Sequence, residues 1–313
     1  MSTKKWTAND VPDQTGRVAL ITGANAGLGY ESALALARKG SQIVMACRDE
    51  GKAQKAISNL KQHIPEAQVE FIQLDLANLA SVHAFAHTFR QRYGRLDLLM
   101  NNAGVMAIPR QESVDGFEMQ LATNHLGHFA LTGLLLDMLV SNPASRVVTL
   151  SSGYHYIGRI NFEDLQMRQK YQRYAAYSQS KLANLLFTFE LQRRFEANGY
   201  PTISVSAHPG GARTNLQSTS LDATGSRVER LFMAITGPVV LQPAVTGALP
   251  QLYGATAPDV KGAEFFGPRF FLRGYPVRAK TSAQSHDLTT AQRLWSISEE
   301  LTGVSYSFKK QAA

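Results

Sequence analysis

The sequence predicts an α/β fold, a doubly wound sheet of seven parallel strands with helices on both faces. Three observations carry this. Short apolar runs of strand length recur with helical patterns between them, an alternation that builds βαβ units and a parallel sheet. A glycine-rich turn, GANAGLG from Gly23, stands between the first run and an apolar helical pattern. Residues with chemical potential fall just after the predicted strands: Gly23, Cys47 and Arg48, Asp75, residues 101–104, Ser151 and Ser152, and residues 208–210. Right-handed crossovers bring such positions to one edge, where open α/β sheets hold their ligands.

The elements follow in order. The first strand is expected at 18–22, and the helix after the glycine turn carries Leu28, Ala33, Leu34 and Ala37 on its apolar pattern. Further strands are expected at 42–47, 69–74, 96–100, 146–151 and 202–207. After Thr214 the pattern loosens, and residues 215–242 read as an insertion with a short helix. A last strand near 264–266 and a helix near 289–301 complete the sheet. Residues 1–15 read as a flexible extension, 16–302 as one domain and 303–313 as a tail.

The bulk numbers bound the function. A chain of 313 residues with 44% hydrophobic and 18% charged residues has apolar mass for a substantial core. The single cysteine, Cys47, rules out an internal disulfide framework and a cysteine zinc site. The polar N-terminus shows no secretory signal, and the apolar stretch 231–241 is too short to span a bilayer. A cytoplasmic protein is expected. The net charge of +8 comes from scattered residues without interleaved aromatics, which argues against nucleic acid. It leaves attraction for anionic cofactors, or a weak one for a membrane surface carrying apolar substrates. His125 and His128 stand three apart with no third ligand in view. Structure is their expected role, and no metal is expected.

Two constellations carry chemistry. In the glycine turn, Gly23, Gly27 and Gly29 are spaced G-x-x-x-G-x-G. That is neither the usual dinucleotide fingerprint nor a P-loop. Such a turn between strand and helix still lets backbone approach a ligand and aims a helix N-terminus at a phosphate. Tyr177 and Lys181, four apart in a helical segment, stand on one face. Bringing a phenol to neutrality takes about 3 pKa units, and a neighbouring cation acts in that direction. The plain alternative is an exposed lysine beside a half-buried tyrosine.

Taken together, TGANAGLG from Thr22, NNAG from Asn101, Asn124, Ser152, Tyr177-x-x-x-Lys181 and PGGART from Pro209 resemble the short-chain dehydrogenase/reductases, in their order and intervals, over roughly residues 15 to 302. NHLGHF from Asn124, YSQSKLANLLF from Tyr177 and RLW from Arg293 look most like the retinol-dehydrogenase-like branch. The resemblance implies a Rossmann-type fold and an NAD(P)-dependent oxidoreductase acting on a lipophilic carbonyl or alcohol. It implies Tyr177 as general acid/base and Ser152 as support for the substrate oxygen. Lys181 would bond the nicotinamide ribose and lower the Tyr177 pKa, and Asn124 would anchor a proton relay. Cofactor contacts would come from Gly23, Asn25, Ala26, Gly27, Leu28 and Gly29; from Asp75 and Leu76 at the adenine; from Asn102, Ala103 and Gly104 at the ribose; from Tyr177 and Lys181; and from Pro209, Gly210, Gly211 and Thr214 at the nicotinamide. A helix N-cap is the plain reading of Asp75. Folds that prefer NAD usually place an acid after the second strand; Cys47 and Arg48 stand there, so NADP(H) is expected, with Asp49 a rival ribose ligand. His155 faces substrate in this reading, beside residues 106–109, 155–157 and 216–240. Ser152 and Tyr177 lie 25 residues apart, more than in many relatives. Two rival classes remain, a non-catalytic NADP sensor and an extended-type epimerase or dehydratase.

Overall fold

The computed structural model describes residues 5–212 and 241–308. Among the described residues, eight strands form one sheet in the order β3-β2-β1-β4-β5-β6-β7-β8. They are β1 (Val18–Thr22), β2 (Gln42–Cys47), β3 (Val69–Gln73), β4 (Leu98–Asn101), β5 (Arg146–Leu150), β6 (Ile203–Ala207), β7 (Phe265–Pro268) and β8 (Pro276–Arg278). The first seven run parallel, and β8 pairs antiparallel with β7. The seven-stranded expectation is therefore corrected to eight. β8 opens on a proline and is three residues long, the form an edge strand takes.

Strand residues alternate between two cores. Ala19, Ile21, Ile43 and Met45 pack on one face under α1 (Gly27–Ala37) and α2 (Glu50–His63). Val18, Leu20, Val44 and Ala46 pack on the other, under α3 (Leu79–Arg92), α5 (Gly127–Leu134) and α7 (Arg173–Ala197). A short α4 (Met119–Leu121) runs through a wide turn, Ala122–Leu126, into α5, and α6 (Leu136–Val140) follows. Beyond β6 come α8 (Ala244–Gly247), α9 (Leu249–Thr256) and, last, α10 (Leu288–Thr302).

Both ends are corrected as well. Trp6 meets Tyr253 edge-on at 5.2 Å, Val11 is buried, and Gln14 N–H bonds Lys39 O at 2.7 Å. Residues 6–15 therefore belong to the packed body. At the other end Val304 and Tyr306 are buried, and the Tyr306 hydroxyl donates to Phe129 O at 2.6 Å.

The chain order reverses between β1 and β4. That switch point opens a crevice at the strand C-termini.

Candidate active site

The first wall of the crevice is the turn after β1. Gly23 and Gly27 have φ of 66° and 55°, which glycine adopts without strain. A Cβ on Gly29 would lie 2.6 Å from both Gly23 O and Asn102 Nδ2. No side chain caps the head of α1, where Ala26 is the N-cap, so its first-turn N–H groups keep their capacity for an anion. This donor set fits a dinucleotide pyrophosphate. Asn102 closes the turn from the β4 side. Its Nδ2 donates to Thr22 O at 2.7 Å, and the N–H groups of Asn102 and Ala103 donate to Thr22 Oγ1 at 2.9 Å each. The Asn102 side chain is thus committed to the loop, and a ligand there would meet backbone.

Arg48 follows β2 and is exposed, with no side-chain partner among the described residues. Asp49 caps α2, its Oδ1 accepting from Lys52 N at 2.9 Å. That use commits one of its two carboxylate oxygens to the helix. Asp75 accepts from Ala77 N at 3.0 Å, while Asn78 caps α3, so the capping reading of Asp75 is corrected. After β6, Gly210 has φ of 67°, and a Cβ there would lie 2.5 Å from Leu272 O. Pro209 O accepts from Gln242 Nε2 at 2.8 Å, and Gly211 N–H donates to Leu272 O at 2.9 Å. Thr214 and residues 215–240 of the expected insertion lie outside the described residues.

Ser152, Tyr177, Lys181 and Asn124 converge. Ser152 stands two residues past the end of β5 and caps a 3-10 turn, Gly153–Ile157. One turn apart on α7, Tyr177 and Lys181 are each 4% exposed. The Tyr177 hydroxyl shares a hydrogen bond with Ser152. Lys181 Nζ lies 5.6 Å from the Tyr177 ring centroid and donates to Leu150 O at 3.2 Å. Asn124 Nδ2 donates to Val105 O at 2.9 Å and to Ser180 Oγ at 2.8 Å, and its Oδ1 accepts from Val105 N at 2.8 Å. Gly104 joins the cofactor wall to this group, since a Cβ there would lie 2.9 Å from Asn124 Oδ1. Tyr154 stands edge-on to Tyr177 at 5.4 Å.

The electrostatics depart from expectation. Burial pushes the Tyr177 phenol up to about 12, with the Ser152 bond acting the other way. Burial also brings Lys181 down to about 8. Burial thus dominates Tyr177, with Tyr154 adding to the rise, and the balance holds no contribution from Lys181. Both groups are enclosed, where desolvation disfavours either charge, and Nζ is turned to a carbonyl.

The histidines divide into separate tasks. The turn Ala122–Leu126 is a π turn in which Gly127 N–H reaches back to Ala122 O, a widening that disturbs the usual carbonyl pairing. His128 Nδ1 lies 3.1 Å from Asn124 O, and its Nε2 lies 2.9 Å from Thr22 Oγ1. A carbonyl only accepts, so Nδ1 carries the proton and Thr22 donates to Nε2. Burial holds this ring neutral, its pKa down at about 3. One imidazole therefore ties the end of β1 to Asn124. His128→Phe keeps the bulk and breaks both bonds, and is expected to cost about 1–3 kcal/mol, read as a lower urea midpoint. An unchanged midpoint would show that the tie contributes nothing. His125 Nε2 pairs with Ser298 Oγ at 2.9 Å. Among the described residues no group of three or more His, Cys, Asp or Glu could hold a metal ion.

His155 is corrected. It is buried, with Nδ1 2.6 Å from Ser152 O and Nε2 accepting from Ser282 N at 3.3 Å. Both nitrogens serve backbone, so the ring fixes Ser152 from behind and does not face substrate. Ala107 and Ile108 are likewise buried; Ala107 N–H donates to Gln120 Oε1 at 2.7 Å. Only Met106 and Pro109 of that stretch keep open surface.

The short chain dehydrogenase family model matches residues 17–224. Mouse (Mus musculus) retinol dehydrogenase 14 is 42% identical over 299 residues, covering 92% of this chain and 86% of its own length. Mouse polyprenol dehydrogenase is 41% identical over 94% of this chain and 86% of its own. Human retinol dehydrogenase 12 is 40% identical, over 92% and 87%. Among solved structures, an uncharacterized protein from Mycobacterium Paratuberculosis is 44% identical, with TM-score 0.81 over 97% of this chain and 100% of its own. A short chain dehydrogenase from Shigella flexneri, complexed with NADP, shares the fold at 22% identity and TM-score 0.62, over 82% and 98%.

Proposed function

We propose that this chain, which belongs to the short-chain dehydrogenase family and is an oxidoreductase, uses NADP(H) to interconvert a lipophilic alcohol and its carbonyl. The convergence of Ser152 and Lys181 on the buried Tyr177 carries the reading. When bound, the nicotinamide supplies or accepts hydride. The protein's own part is positioning and proton transfer. Ser152 holds the substrate oxygen at the Tyr177 hydroxyl, and Tyr177 gives or takes its proton. Lys181 stands where it can bond a ribose and favour the phenolate, and Asn124 anchors the relay behind it. The glycine turn, the backbone of residues 102–104 and the turn at Pro209, Gly210 and Gly211 would hold the cofactor.

The relatives support the substrate class, since retinol and polyprenol dehydrogenases are named for apolar alcohols. Arg48 supports NADP(H). A forked guanidinium can engage a 2′-phosphate, and Asp49 is occupied as a helix cap. Such a charge-assisted bond is worth about 1.5–3 kcal/mol, roughly ten- to hundredfold in affinity. Arg48→Ala is expected to weaken NADPH binding by that factor and leave NADH unchanged. Equal losses for both cofactors would place the side chain elsewhere. A cytoplasmic location is proposed with the rest.

The test of the reaction is cofactor oxidation across a panel of aldehydes and ketones graded from short and soluble to long and cyclic. NADPH should be consumed fastest with the apolar members, and NADH more slowly. NADPH binding without turnover on any member, in either direction, would favour the non-catalytic sensor.

A further inference from the structure

The hairpin between β7 and β8 ends in a loop reading Arg269-Phe270-Phe271-Leu272-Arg273. Its three apolar side chains are exposed by 70%, 48% and 43%. The loop is wound by its own backbone: Arg269 N–H bonds Tyr275 O at 2.9 Å, Phe270 N–H bonds Arg273 O at 3.0 Å and Phe271 N–H bonds Pro268 O at 3.0 Å. Phe271 has φ of 61°, a left-handed conformation that disfavours a bulky residue. Its ring lies under Gly153, where a Cβ would meet it at 2.6 Å, and 6.1 Å from the Tyr156 ring. Tyr156 and its neighbour Ile157 are themselves exposed, so the apolar surface runs from the loop tip to the turn that Ser152 caps. From residue 265 to 286 the chain carries Arg269, Arg273, Arg278 and Lys280 and no Asp or Glu. Arg278 is paired with Asp259 and Glu264, and Arg273 is also engaged, so the charge offered at the loop tip is that of Arg269.

We propose that this loop is an interfacial anchor that docks the protein on an anionic lipid bilayer. Adjacent exposed aromatic and aliphatic side chains beside Arg269 suit the boundary between headgroups and acyl chains. There the rings enter the apolar layer while the Arg269 guanidinium stays with lipid phosphate. No helix among the described residues is long and apolar enough to cross a membrane, so contact through such a loop is peripheral. The loop is also fastened to the cofactor side of the site, because Leu272 O accepts from Gly211 N–H. Docking therefore orients the crevice to the bilayer, and an apolar alcohol dissolved there reaches Tyr177 along the exposed strip. That last consequence rests on the proposed reaction, whereas the docking does not.

The experiment is co-sedimentation of the full chain with vesicles of phosphatidylcholine alone or mixed with phosphatidylserine. Wild type should pellet with the mixed vesicles and be released by salt. Phe270→Ser should weaken that partition about tenfold, and Arg269→Glu by a similar factor, about tenfold, confined to the mixed vesicles. Turnover of a short soluble aldehyde should be the same in Phe270→Ser as in wild type. Wild type that stays in the supernatant, or variants that pellet as well as wild type, would overturn the proposal. So would a Phe270→Ser variant that changes the mass in sedimentation velocity without changing vesicle binding, since a second copy would then cover the loop. Vesicle binding by a protein inactive on every carbonyl would sink the reaction and leave the anchor standing.

Discussion

Tyr177→Phe is expected to lower turnover by about a thousandfold while NADPH affinity stays nearly unchanged. The substitution removes one oxygen from a buried ring and keeps the ring's contact with Tyr154 at 5.4 Å. What disappears is the only ionisable atom that Ser152 bonds on α7. With the phenol pushed up to about 12 by burial, the wild-type group is protonated through the neutral range, the form that the proposed carbonyl reduction needs. Alcohol oxidation needs the phenolate, so its wild-type rate should climb with pH. In Tyr177→Phe the residual rate should lose that slope. Stopped-flow turnover beside NADPH fluorescence titration separates the two functions. A variant with full activity, or one that loses cofactor binding and turnover in parallel, would remove Tyr177 from the proton transfer.

Much of this site was legible because it lies where a parallel sheet must put it. Thr22, Asn101 and Ser152 sit at or just past the ends of β1, β4 and β5, and apolar runs mark strand ends well. Features set by single docked side chains were not legible. Trp6 packs against the core, and Val304 and Tyr306 are buried in it, from stretches with no periodic pattern, so both ends read as tails. β8 is too short, and begins too badly for a strand, to be seen before β7 is there to pair with it. His155 sits two residues from an exposed isoleucine, and nothing in its neighbours shows that Ser282 will bond it. The weight of burial on the Tyr177–Lys181 pair was not legible for the same reason. Spacing puts both on one face, but the enclosure of α7 between the sheet and α10 is a tertiary fact.

That enclosure gives Lys181 a second, measurable consequence. Its ammonium is 4% exposed, and burial alone lowers its pKa from 10.5 to about 8. A drop of about 2.5 units, at about 1.4 kcal/mol each, means that the buried charge costs the fold about 3 kcal/mol at neutral pH. Lys181→Met keeps the aliphatic stem and removes the charge. Leu150 O is not orphaned by the change, since Asn184 Nδ2 still donates to it at 2.9 Å. The variant is therefore expected to be more stable than wild type by up to about 3 kcal/mol at pH 7, and to lose turnover. The pH dependence has a fixed sign. Between pH 8 and 10.5 the unfolded lysine holds more proton than the folded one, so wild-type stability rises with pH across that window. Below pH 8 both states carry the charge and the full penalty applies. The advantage of Lys181→Met should thus be greatest at neutral pH and vanish by about pH 10.5. Urea midpoints of the two proteins, measured without ligand at both ends of the window, decide it. Coincident midpoints at pH 7 would mean that the ammonium is solvated in place, and its hold on Tyr177 would then be correspondingly weak.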